Sequence, residues 1–125
     1  MKLLKNASVY TPAPLGKRDV LIEGEKILRI AEEITGYDDL PDVEVYDLEG
    51  KTLVPAYIDL HVHITGGGGE QGPASRVPES SLSTFFRNGI TTVVGLLGTD
   101  GITRSLENLV AKARALSEEG MTVYT

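Results

Sequence analysis

The sequence predicts an α/β chain in two parts: a small antiparallel β unit over residues 1–55, then strands alternating with helices over residues 56–125. Three observations carry this. Short β-rich runs separated by Gly- and Pro-containing breaks fill the first part. Beyond residue 77 the apolar spacing changes to that of helices alternating with apolar strands, an order that implies right-handed crossovers and a parallel sheet. Between them lies Val54-Pro55-Ala56-Tyr57-Ile58-Asp59-Leu60-His61-Val62-His63-Ile64-Thr65, which holds both histidines and runs into Gly66–Gly69 and Glu70.

Composition narrows the functional classes. With 41% hydrophobic and 24% charged residues the chain is ordinary globular material, and disorder is not indicated. The net charge of −6, from 12 basic and 18 acidic residues, is spread along the chain without a basic stripe. Nucleic acid and anionic membrane surfaces are therefore not expected partners. Cysteine is absent, which excludes disulfides and thiolate metal sites and fits a reducing compartment; a cytoplasmic location is the expectation. Met1–Asn6 carries charge without a following apolar core, and no segment approaches 18 uninterrupted apolar residues, so a soluble chain is expected.

Taken in order, Leu3–Tyr10 reads as a strand closed by Thr11-Pro12-Ala13-Pro14. Asp19–Glu23 and Lys26–Ala31, joined by Gly24-Glu25, read as a tight hairpin. The polar residues 32–42 are a solvated connection. Val43–Asp47 alternates again, Glu49-Gly50-Lys51 is a turn, and Thr52-Leu53-Val54 leads into the histidine stretch.

After Glu70, residues 71–77 are polar and irregular, and Pro78-Glu79-Ser80-Ser81 offers a helix start. Leu82, Phe85 and Phe86 mark one face of a short helix, closed by Asn88-Gly89. Ile90–Leu97 is nearly all apolar or β-branched, as a strand covered on both faces would be. Gly98-Thr99-Asp100-Gly101 breaks it. Leu106, Leu109, Val110, Ala113 and Leu116 then trace an amphipathic helix from about Ser105 to Glu119, Gly120 ends it, and Met121–Tyr124 begins another strand. An open doubly wound sheet and a barrel both satisfy this order. A complete eight-fold barrel takes roughly 250 residues, so these residues supply at most three of its strands. The sequence stops inside the third strand at Thr125, and the expectation is a truncated chain.

His61 and His63, two residues apart on a strand, project to one side and offer two neutral nitrogens to a metal such as zinc. Asp59 shares their face by parity. A pair of hydrogen-bonded structural histidines is the plain alternative. A structural zinc needs four protein ligands and a hydrolytic one usually three plus water, so further ligands must be carboxylates or residues outside this sequence. Gly66–Gly69 is not a phosphate cradle, because no Gly-Lys-Ser/Thr follows and Glu70 would repel phosphate. It is either a flexible loop or a place where a small substrate approaches bare backbone, with Glu70 receiving an ammonium group. Thr99, after the second parallel strand, falls on the same rim as His63 and Glu70 if the sheet is part of a barrel; otherwise Gly98-Thr99-Asp100 is a plain turn.

Ile58-Asp59-Leu60-His61-Val62-His63 resembles the first-strand signature of the amidohydrolase superfamily, although Pro55-Ala56-Tyr57 stands where those enzymes commonly have Pro-Gly-Phe. The runs His63–Glu70, Thr92–Asp100 and Ala111–Leu116 are similar to the isoaspartyl dipeptidase family within it. That resemblance implies the N-terminal part of a (β/α)8 TIM-type barrel (residues 56–125) preceded by part of a small β-sandwich (residues 1–55). It implies metal-dependent hydrolysis of β-aspartyl dipeptides, with His61 and His63 as ligands in a two-zinc site bridged by a carboxylated lysine that is not among these residues. Gly68, Gly69, Glu70 and Thr99 would bind the amino end of a small dipeptide substrate. Two later histidines, an acid–base aspartate and the arginines for the substrate carboxylate would lie beyond Thr125. The full-length parent is expected to be homo-oligomeric and the 125-residue chain inactive. The neighbouring alternatives are a dihydroorotase-like or N-acyl-amino-acid hydrolase and a non-catalytic module.

Overall fold

Lys2–Tyr10 forms β1, the strand on which the first half of the chain assembles. In the computed structural model, which describes all 125 residues, it pairs antiparallel with β2 (Pro14–Glu23), which pairs antiparallel with β3 (Lys26–Ala31). The β2–β3 hairpin turns through Gly24 at φ +54°, as its sequence predicts. β2 starts at Pro14 rather than Asp19; proline is tolerated at the first residue of a strand, where no ladder N–H is needed.

Two short strands correct the expectation of a wholly antiparallel unit. β4 (Glu44–Asp47) and β5 (Thr52–Leu53) both run parallel to β1, with Leu3 opposite Val45 and Val9 opposite Leu53. The cause lies in the connection: residues 32–43 carry the chain back to the start of β1, where the Glu44 N–H donates to Met1 O at 3.0 Å. Alternation along a segment reports which residues face inward and nothing about strand direction.

A bulge sets the packing of this sheet. The β1–β2 register shifts between Leu4 and Ala7, and Asn6 takes φ +58°. The buried carboxylate of Asp19 accepts the Asn6 N–H at 2.9 Å and the Ile34 N–H at 3.0 Å, supplying partners that the ladder does not. Because the shift changes parity, Leu3 packs with Leu21 and Ile34, while Leu4 joins Ala7, Val9 and Val20 in a second cluster.

Contacts divide the chain into Met1–Pro55 and Ala56–Thr125. The second unit holds β6 (Tyr57–Val62), α1 (Leu82–Phe86), β7 (Ile90–Gly95), α2 (Leu106–Glu118) and β8 (Thr122–Tyr124), with a 3-10 turn at Pro73–Ser75. Its sheet is β6-β7-β8, parallel throughout, in agreement with the strand–helix alternation. The Ser105 hydroxyl caps α2 by accepting the Asn108 N–H at 3.3 Å, and Gly120 leaves the helix at φ +102°. Ile64, Phe85, Val93, Leu109, Ala113, Leu116 and Met121 form the core.

Three residues on the apolar helix faces traced by sequence spacing lie outside that core: Phe86, Leu106 and Val110 are 44%, 66% and 40% exposed. α1 is only five residues long, too short to bury a broad face. On α2 the three-stranded sheet covers the 109, 113, 116 stripe, and the flank bearing 106 and 110 has no element against it.

Candidate functional site

In a parallel sheet the C-terminal ends of adjacent strands share one rim, and the predicted site residues follow those ends. His61 is the penultimate residue of β6, His63 comes directly after it, and Thr99 lies four residues beyond β7. The two imidazoles stand on one side of the chain, as strand parity requires, with their Nε2 atoms 3.3 Å apart and their planes tilted by 46°. His63 is seated between two glycines. A Cβ at Gly67 would come within 3.3 Å of its Nδ1, and one at Gly98 within 3.2 Å.

The Nε2 separation fits a shared metal. Two nitrogens each about 2.0–2.1 Å from a tetrahedral zinc are about 3.3–3.4 Å apart by trigonometry. A hydrogen bond between one protonated and one bare Nε2 fits the same distance. No group of three or more His, Asp or Glu side chains comes together that could complete a metal shell. Asp59, placed on the histidine face by parity, turns its Oδ1 back to accept the His61 N–H at 3.1 Å.

Glu70 and Thr99, 29 residues apart in sequence, meet: the Thr99 hydroxyl donates to Glu70 Oε1 at 2.7 Å. That bond, above all, holds the Glu70 carboxyl below its ordinary range, with its own backbone and the nearby His63 and Arg104 acting in the same direction. Both side chains are exposed, so the pair presents an ionised carboxylate at the surface of the rim.

The glycine run is not a floppy connection. Gly66, Gly68 and Gly69 take φ of +95°, +68° and +106°. A Cβ on Gly68 would lie 2.2 Å from the Ser75 carbonyl oxygen, and one on Gly66 would lie 2.3 Å from that of Val77. These two glycines are therefore required by the loop's own packing. The Gly69 N–H donates to the Ser75 hydroxyl at 3.2 Å.

Holding this loop is a residue that sequence reading did not single out. Arg104, just before α2, is buried, and its guanidinium donates to four backbone carbonyls: Thr65 at 3.0 Å, Gly67 at 3.2 Å, Gly68 at 3.5 Å and Val77 at 3.0 Å. Asp100 Oδ2 balances its charge at 3.7 Å and also meets Arg76 Nε at 3.1 Å. The Asp100 carboxyl is held down to about 2, first by the Thr103 hydroxyl and then by the Thr103 and Ile102 N–H groups. An arginine at a helix start looks solvated in sequence; only the excess of unpaired carbonyls in a glycine-rich loop hints at a buried donor.

Among solved structures, the chain superposes on β-aspartyl dipeptidase from Fervidobacterium islandicum AW-1 in complex with β-Asp-Leu dipeptide. The TM-score is 0.87 and the identity 50%, over 98% of this chain and 31% of that one. Among curated proteins it is similar to dihydroorotases, at 37% identity to that of Lactobacillus leichmannii and 30% to that of Staphylococcus epidermidis. It covers 27% of each, so the chain spans about a quarter of the length of the curated relatives it matches. No protein-family model matches the sequence. These likenesses bear out the resemblance to isoaspartyl dipeptidases of the amidohydrolase superfamily.

Proposed function

We propose, taking the chain's amidohydrolase-superfamily character as premise, that the protein carrying it hydrolyses β-aspartyl dipeptides. The observation that carries this reading is the Thr99–Glu70 pair at 2.7 Å on the rim that follows the histidine strand. A hydrolase acting on free dipeptides must recognise an ammonium group, and an ionised, exposed carboxylate held by a hydroxyl is suited to that task. The 50% identity to a β-aspartyl dipeptidase supports the same substrate class.

In this reading His61 and His63 hold zinc through their Nε2 atoms, with the remaining ligands outside residues 1–125. Zinc in such a centre supplies Lewis acidity and lowers the pKa of water. Glu70 accepts the substrate ammonium, Thr99 fixes the Glu70 rotamer, and the backbone of Gly68 and Gly69 shapes the floor beside them. The three parallel strands are the first of a (β/α)8 barrel and the five-stranded sheet is one layer of a small sandwich. The protein is cytoplasmic and homo-oligomeric, and the 125-residue chain alone, with two ligands, is inactive.

The dihydroorotase relatives favour a second reading, a cyclic-amide hydrolase with no need of Glu70. A substrate panel run on the complete gene product separates the two. β-Asp-Leu should be cleaved and its N-acetylated form refused, with zinc measured in the purified protein. Turnover of dihydroorotate with no cleavage of β-Asp-Leu would replace the first reading by the second.

A further inference from the structure

We infer that Arg104 is a positioning residue for substrate recognition: it fixes the Gly66–Gly69 loop and thereby sets Glu70 against Thr99. This inference rests on the proposed β-aspartyl dipeptidase activity. The geometry leading to it is independent of the metal. Arg104 occupies the position from which one side chain can reach both sides of the loop, with Thr65, Gly67 and Gly68 on one stretch and Val77 on the other. A guanidinium has five N–H donors in a rigid plane, so it can bridge several carbonyls that no other side chain could satisfy together. Its burial leaves the bonds unscreened by water.

Each anchored carbonyl lies within five residues before Glu70 or returns from the far side of the loop at Val77, which itself donates its N–H to Gly67 O at 2.8 Å. The glycines make this necessary. Three residues at positive φ have wide conformational freedom in a peptide, and without external bonds the run would sample many paths. Ser75 adds a smaller anchor, accepting the Gly69 and Gln71 N–H groups and donating to Gly72 O at 2.9 Å. Asp100 ties Arg104 to the loop that carries Thr99, so one network spans both partners of the 2.7 Å pair. Arg104 does not touch the reacting atoms in this scheme; it acts through Glu70.

The test compares Arg104→Lys and Arg104→Ala with wild type in the complete gene product. Lysine keeps the charge but cannot bridge four carbonyls. KM for β-Asp-Leu should rise roughly 10-fold to 100-fold in both variants while kcat changes less than about threefold, the split expected when binding energy is lost equally from the bound substrate and the transition state. Guanidinium ion at millimolar concentration should restore part of the loss in Arg104→Ala and none in Arg104→Lys. Amide hydrogen exchange over residues 66–71 should accelerate in both variants and slow again in Arg104→Ala with guanidinium. If Arg104→Ala does not fold, Arg104→Lys alone decides through its KM and exchange. Unchanged KM with unchanged exchange would overturn the inference, as would an equal fall in kcat and kcat/KM. If the wild type cleaves no β-aspartyl dipeptide, the proposed function fails, and the exchange measurement still decides whether Arg104 fixes the loop.

Discussion

At the residue scale the site is a set of short polar contacts whose consequences differ with pH. The Thr99 hydroxyl donates to Glu70, and its stabilisation of the charged form keeps that carboxyl ionised to lower pH than an ordinary glutamate. A lowered folded pKa contributes stability above the unfolded pKa, and that contribution fades as pH falls through the lowered value. Thr99→Val removes the first cause, so the Glu70 midpoint should move up towards the ordinary glutamate range. Carboxyl-carbon NMR titration of the two proteins reads this directly, and an unmoved midpoint would remove Thr99 from its role. The histidine pair was legible from parity alone, because two residues on a strand must share a side. The Thr99–Glu70 pair was legible only as two residues on one rim; their hydrogen bond depends on the path of the glycine loop, which no spacing rule gives.

At the element scale, secondary structure was legible where periodicity is long and caps are present. α2 begins after Ser105 and ends before Gly120, close to the sequence expectation. Direction was not legible for β4 and β5, whose few residues pair parallel to β1 because of a connection rather than a pattern. Nor was the rigidity of Gly66–Gly69, since a glycine run suggests freedom unless the donor that ties it down is known. The loop's glycines separate into two kinds. Gly68, at φ +68° with a Cβ that would meet Ser75 O at 2.2 Å, can take no side chain. Gly67, whose Cβ would meet the His63 side chain with Nδ1 nearest at 3.3 Å, can take one if the ring yields. Left-handed backbone alone costs an alanine roughly 1–2 kcal/mol. Gly68→Ala should therefore lower the thermal midpoint by several degrees or more, whereas Gly67→Ala should leave it nearly unchanged and weaken zinc retention by displacing His63. Gly101, with nothing within 4 Å, provides the control: Gly101→Ala should alter neither. Equal effects at positions 67, 68 and 101 would contradict this division.

At the scale of the whole molecule, each unit leaves apolar surface without cover. In the first, Ile27, Leu28 and Ile30 on β3 are 64%, 49% and 37% exposed. In the second, Ile58 and Leu60 on β6 are 63% and 70% exposed, on the strand that also forms one open edge of the three-stranded sheet; β8 forms the other. Sequence pattern marks such residues as apolar positions on strands and says nothing of what supplies their cover. The same holds for Leu106 and Val110, which belong to the apolar face traced on α2 yet are 66% and 40% exposed. Open parallel edges beside apolar side chains are templates for association, and a net charge of −6 opposes that only through repulsion that salt screens. The isolated 125-residue chain should therefore elute above its monomer mass of 13.4 kDa, with the shift growing as salt is raised. Size-exclusion chromatography with light scattering at low and high salt measures this. A monomer at both salts, unfolding in one cooperative transition, would mean that these faces need no partner.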